Sequence, residues 1–148
     1  MRVDDLPTAV VVDASVGLKW VIDEDGSDAA VAITLGRGLL TSALFWVEAA
    51  NVLATKERRG ELARATIEDA WRDLLRAPLE TCPLGPAETK GPLGLAADLR
   101  HPVYDCCYLD LALARRTVVV TADRRFRALA DRQPSLAGSV VHLNELRP

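Results

Sequence analysis

The chain has 148 residues, 49% of them apolar and 26% charged, which fits one globular domain with a real core and leaves too little for two. Its apolar runs fall short of the roughly 18 residues a membrane span needs, and acidic residues stand where a signal peptide carries a basic patch. A net charge of -3 gives no general basic footprint for nucleic acid, and three cysteines, Cys82, Cys106 and Cys107, argue against a disulfide framework. The expectation is a cytoplasmic protein with a single domain over residues 1–148.

Ala9-Val10-Val11-Val12-Asp13 reads as a short strand of the kind buried on both faces in a parallel sheet. Ser15 follows as the cap of a short helix reaching Trp20 and Val21. An acidic loop over 23–28 leads to a helix over 29–35, stopped by Gly36 and Gly38. Leu39-Leu40-Thr41 forms a second strand. Residues 43–59 have helical periodicity closed by Gly60, and 61–76 repeat it up to Pro78, so the two make a helical hairpin. A weak strand over 79–82 precedes the Gly- and Pro-rich stretch 83–94, which gives no clear element. The pattern then sharpens into a helix over 103–116, a strand over 117–120, a helix over 124–130 and a last strand over 139–143. Helices alternating with β-branched runs define a layered α/β domain whose sheet is mostly parallel. Ligands of such sheets bind beyond the carboxyl ends of the strands.

Four of the acidic residues stand where acids are expensive. Asp13 follows three valines, Glu48 interrupts an apolar helix, Asp105 opens another, and Asp123 follows Val118-Val119-Val120-Thr121-Ala122. An unpaired buried carboxylate costs several kcal/mol, so such groups are paired, hydrogen-bonded or coordinated. Asp105 and Asp123 also suit the positive ends of helices, and Asp13 a strand-end cap. Glu48 lies mid-helix, where capping does not account for it, and an arginine ion pair is its plain structural alternative. Together the four favour a site for a hard cation, Mg²⁺ or Mn²⁺, which prefers oxygen ligands.

Other chemistries find less support. His101 and His142 lack partners at zinc spacing and read as structural or exposed. Cys106 and Cys107 on an apolar helix face fit as small hydrophobes, and Trp20, Trp46 and Trp71 fit a core better than a base-stacking surface. No phosphate-cradling glycine loop is present. A phosphatase loop would carry a second aspartate after Asp13-Ala14-Ser15, and a receiver would end its first strand in an acidic pair.

The ordered set Val10-Val11-Val12-Asp13-Ala14-Ser15, Glu48 with Asn51, Tyr104-Asp105-Cys106-Cys107-Tyr108-Leu109 and Thr121-Ala122-Asp123 with Phe126 resembles the PIN domain. More narrowly it resembles the VapC-type toxins of toxin–antitoxin pairs. The resemblance implies a three-layer α/β/α sandwich around a mostly parallel sheet and a Mg²⁺- or Mn²⁺-dependent endoribonuclease acting on tRNA or ribosomal RNA. Asp13, Glu48, Asp105 and Asp123 would then be the catalytic metal-site acids, with Ser15, Asn51 and Thr121 as polar supports. It further implies a homodimer and a cognate antitoxin. Lys19, Arg124 and Arg125 adjoin the acids and are candidate RNA phosphate contacts. Asp110 departs from the family pattern and is expected to face solvent or pair with an arginine. A module that binds RNA or a partner with little catalysis is the alternative.

Overall fold

The computed structural model describes residues 1–147, so the expected domain over 1–148 includes one residue outside the described ones. The strands are β1 (Ala9–Val12), β2 (Gly38–Ser42), β3 (Leu79–Cys82), β4 (Val119–Thr121) and β5 (Val140–His142). They form one parallel sheet in the order β3-β2-β1-β4-β5. The helices are α1 (Ala14–Gly17), α2 (Ser27–Ala32), α3 (Leu44–Arg58), α4 (Arg64–Leu74), α5 (Pro86–Leu99), α6 (Val103–Ala114) and α7 (Arg124–Leu129).

Because alternate strand residues point to opposite faces, the valine runs build two cores at once. Val11, Leu40, Val119 and Val140 meet Phe45, Ala49, Leu74, Tyr108, Leu109 and Phe126 from the longer helices. Val10, Val12, Leu39, Val120 and Val141 meet Ala30, Ile33, Leu143 and Leu146 on the thinner second face. The α/β/α layering is therefore asymmetric. The tryptophans are core elements. Trp46 packs edge-on against Phe45 and Trp71, at ring-centre distances of 5.1 and 5.8 Å, and Trp20 donates to Ala30 O.

Several elements differ from the sequence expectation. Asp13, and not Ser15, caps α1: its carboxylate accepts from Val16 N–H, and Ser15 turns inward. The helix expected over 29–35 begins at Ser27 and gives way to turns after Ala32, and that expected from residue 61 begins at Arg64. The strand expected over 117–120 starts at Val119, since Thr117 N–H still closes the end of α6 by bonding Ala112 O.

The largest addition is α5, over a stretch that gave no clear element. Gly85 N–H donates to Glu88 Oε2 at 2.9 Å and Pro86 opens the first turn, which are both helix-start signals. Gly91, Pro92 and Gly94 oppose a helix intrinsically, and close packing on α6 overrides them. A Cβ at Gly91 would collide with the Asp110 carboxylate of α6, so any other residue there requires that side chain to move.

Candidate active site

The strand order creates the site. From β1 the chain proceeds through β2 and β3 on one side and returns to β4 and β5 on the other, so the sheet switches direction between β1 and β4. Such a switch point opens a crevice at the carboxyl ends of the strands. Asp13 is the first residue after β1, Thr121 is the last of β4, and Asp123 caps α7 just beyond it.

Asp13 is 6% exposed and its carboxylate is almost fully partnered. Oδ1 accepts from Ser15 Oγ and Val16 N–H, and Oδ2 accepts from Thr121 Oγ1. An ionised carboxylate only accepts, so both hydroxyls donate to Asp13. Each hydroxyl in turn accepts from the turn after β4: Ala122 N–H donates to Ser15 Oγ at 2.9 Å and Asp123 N–H donates to Thr121 Oγ1 at 3.0 Å. Two lone pairs of Oδ1 are thus filled, while Oδ2 keeps one open.

The other acids are held on one oxygen only. Tyr108, buried on α6, donates its hydroxyl to Glu48 Oε1 on α3, and Oε2 has no donor among the described residues. His101 Nε2 lies 2.7 Å from Asp105 Oδ2, leaving Oδ1 open. Asp123 Oδ1 accepts from Arg125 N–H at 2.7 Å and Phe126 N–H at 3.3 Å, leaving Oδ2 open. Glu48, Asp105 and Asp123 thus each present a second oxygen without a donor among the described residues, whereas Asp13 is held through both and keeps one lone pair of Oδ2.

The electrostatics tie the group together. Burial pushes the Asp13 carboxyl up to about 6, against its hydrogen bonds to Ser15, Thr121 and Val16 N–H, with the Asp105 charge adding to the rise. Burial raises Glu48 against the Tyr108 hydrogen bond, and the Asp105 and Asp123 charges raise it further. Burial also raises Asp105 against its His101 contact, with the Asp123 charge adding. Among the described residues no arginine or lysine pairs with any of the four, so the ion pair that would make Glu48 purely structural is absent. No three His, Cys, Asp or Glu side chains among the described residues stand close enough to hold a metal ion as they are. The donor set itself fits a hard divalent cation: all oxygen, with open lone pairs on each carboxylate and no arginine or lysine paired with them among the described residues.

Both histidines are structural, the first of the two readings the sequence offered, and both serve this edge of the sheet. His142 Nδ1 accepts from Asn144 N–H at 3.1 Å, so Nε2 carries the proton and donates to Ala122 O at 3.0 Å. Sequence reasoning also gave Tyr108 and His101 no role in supporting the acids. His101 stands four residues before Asp105 but across Pro102, and only that spacing signals the pair.

Of the expected supports, Ser15 and Thr121 hold Asp13. Asn51, one turn beyond Glu48, is exposed with no hydrogen-bond partner among the described residues, because Tyr108 from α6 takes the supporting position. Arg124 and Arg125 are exposed and unpaired among the described residues, whereas Lys19 is engaged by Glu24 Oε1 at 2.9 Å and Asp25 O at 2.7 Å and is no free cation. Cys106 and Cys107 are buried as expected, and burial lifts the Cys106 thiol to about 11. Asp110 neither faces open solvent nor pairs with an arginine. It lies half-buried against Gly91 in a cavity of about 160 Å³ shared with Cys82 and Glu88, and burial raises its carboxyl.

The family model of the PIN domain matches residues 10–132, and the chain belongs to that family. The fold is similar to PAE2754 from Pyrobaculum aerophilum, with a TM-score of 0.67, 21% identity, and coverage of 93% of this chain and 85% of that one. It is also similar to a toxin–antitoxin complex from Klebsiella pneumoniae, with a TM-score of 0.60, 12% identity, and coverage of 90% and 97%. VapBC2 from Rickettsia felis, bound to a DNA fragment from its promoter, gives a TM-score of 0.62, 13% identity, and coverage of 90% and 98%. At these identities the likeness is one of fold. No curated protein matches the sequence significantly.

Proposed function

We propose that this protein is a Mg²⁺- or Mn²⁺-dependent endoribonuclease, the toxin of a VapC-type toxin–antitoxin pair, acting in the cytoplasm on tRNA or ribosomal RNA. The observation that carries the reading is the gathering of Asp13, Glu48, Asp105 and Asp123 at the switch point of the sheet, the last three held through one oxygen each, with no arginine or lysine pairing with any of them among the described residues. Membership of the PIN family and the likeness to toxin–antitoxin complexes support the nuclease and the antitoxin partner. A homodimer is part of the same proposal, as the family resemblance implies.

The four acids are the residues that would hold the cation. When bound, such an ion neutralises the phosphate and lowers the pKa of the water that attacks it. The chain's own groups do the rest. Ser15 and Thr121 hold Asp13, His101 holds Asp105, Tyr108 holds Glu48, and the first turn of α7 holds Asp123, which keeps four mutually repelling charges at one edge. Arg124 and Arg125 contact the flanking phosphates, giving an acidic protein a local grip on a polyanion.

The test is incubation of the purified protein with a mixture of structured RNAs in Mg²⁺ or Mn²⁺, repeated in EDTA and with Asp105→Asn. Discrete cuts that need the metal and vanish in the variant are expected. RNA binding by folded protein that never cuts in either metal would instead make the chain a binding module.

A further inference from the structure

Beside Asp123 lies a polar hollow that the four acids leave unused. A cavity of about 160 Å³ opens beyond the carboxyl ends of β4 and β5, bordered by Ala122 and Arg124 on one side and by Asn144 on the other. Its far wall is the acidic loop before α2, which Lys19 pins through Glu24 Oε1 and Asp25 O. The His142 ring beside it is immobilised between Asn144 N–H and Ala122 O. Lys19 and His142 are thus held in place and shape the hollow. Three side-chain groups remain, the Arg124 guanidinium, the Asn144 carboxamide and the Asp25 carboxylate, all exposed and, among the described residues, without a hydrogen-bond partner; only the first two attract a nucleotide. The same two border a second hollow of about 300 Å³ on the side of Arg127, so they stand as a ridge between two recesses.

We infer that the smaller hollow is a nucleobase subsite, taking the unpaired base of a nucleotide adjacent to the scissile phosphate. The inference rests on the RNA-cleaving reading and adds to it the means by which the target is recognised. The volume lies well below the roughly 300 Å³ at which pockets for whole small molecules begin, so a fragment such as one heterocycle fits it. A carboxamide presents a donor and an acceptor side by side, which complements a base edge. Sequence-specific RNA recognition works on unpaired bases read in this way. Ala122 and Arg124 flank Asp123 in the chain, so the hollow is a nearest neighbour of the acids. Arg124 then holds the phosphate that joins this nucleotide to the scissile one. An acidic peptide is disfavoured by the Asp25 wall, and a free phosphate makes no use of Asn144.

The test titrates the four nucleoside 5′-monophosphates, and separately inorganic phosphate, into ¹⁵N-labelled protein in EDTA. At least one nucleotide shifts the Asn144 side-chain and Ala122 amide signals, while phosphate leaves Asn144 unmoved. Asn144→Ala weakens that nucleotide about tenfold with an unchanged melting temperature, and Arg124→Gln weakens all four alike. On randomised RNA, Asn144→Ala relaxes base preference at a position adjoining the cut. Shifts from phosphate equal to those from nucleotides, or an Asn144→Ala variant with unaltered base preference, overturn the subsite and leave the nuclease reading standing. Nucleotide binding at Asn144 by a protein that cuts no RNA supports the subsite and sinks the nuclease reading instead.

Discussion

Neutralising Asp13 gives the most direct measure of what the acid cluster costs the fold. The carboxyl titrates near 3.8 in the unfolded chain and at about 6 in the folded protein, because burial outweighs the Ser15, Thr121 and Val16 donors. Between those two values the folded protein keeps a proton that the unfolded chain has released. The stabilisation from Asp13 is thus complete below about pH 4, declines as the pH rises, and is gone above about pH 6. A rise of this size corresponds to about 3 kcal/mol. Burial raises Glu48 and Asp105 as well, so they act in the same direction. Asp13→Asn removes the charge but turns an amide N–H toward a hydroxyl whose proton already points inward, which costs about 1 kcal/mol. A net gain of about 1–2 kcal/mol at pH 7 follows, or roughly 4 °C in melting temperature for a chain of this length. The assay is scanning calorimetry in EDTA at pH 4.5, 5.5 and 7, repeated at pH 7 with Mg²⁺. The native protein should lose stability as the pH rises and regain it with the cation, while the variant stays flatter and responds less to Mg²⁺. A native protein equally stable from pH 4.5 to 7, or a variant that melts below it at pH 7 in EDTA, refutes the reasoning.

Three further outcomes follow from contacts around the site. Tyr108→Phe removes the donor to Glu48 Oε1, so urea unfolding should show a loss of about 1 kcal/mol and Mn²⁺ titration a weakening of about tenfold; unchanged Mn²⁺ affinity counts against the tether. Gly17→Ala places a methyl group against the ring of fully buried Phe45, and overpacking there should cost about 1–3 kcal/mol in chemical denaturation. Arg116 adopts φ of 53° after α6, so Arg116→Gly should raise stability by about 0.5–1 kcal/mol in the same measurement, the relief of a left-handed side chain exceeding the entropy glycine loses.

The class of fold and the four acids were legible because each leaves a mark in the local pattern. Val10-Val11-Val12-Asp13 shows a doubly buried strand ending in a charge, and Glu48 breaks an otherwise apolar helix face. The tethers are less visible because their partners are distant or disguised. Tyr108 and Glu48 are 60 positions apart and meet only once α3 and α6 pack on the same face of the sheet. His101 is separated from Asp105 by Pro102, which reads as a helix boundary and hides an i,i+4 contact. The helix α5 was obscured by Gly91, Pro92 and Gly94, all poor helix formers, of which Gly91 lies against Asp110 of α6. Asn51 shows the reverse: its spacing matches a motif, yet a residue one turn beyond Glu48 on α3 points outward once Tyr108 fills the support.

The tethers also distinguish two reasons for which a protein gathers acids at one edge of a sheet. Every one of these donors, the Ser15 and Thr121 hydroxyls, the Tyr108 hydroxyl and the His101 ring, lowers the pKa of the carboxylate it touches. Burial and mutual repulsion still win. The chain carries 15 arginines, any one of which at this edge would relieve the strain as an ordinary ion pair. Those nearest in sequence do not: Arg124 and Arg125 stay exposed, and Arg127 is taken by Asp131 and Glu145. A cluster kept for stability would be relieved by an arginine or lysine, and among the described residues none pairs with these acids. Donors that favour the ionised form, with no arginine or lysine beside them, suit a site whose compensating charge comes from a soluble cation.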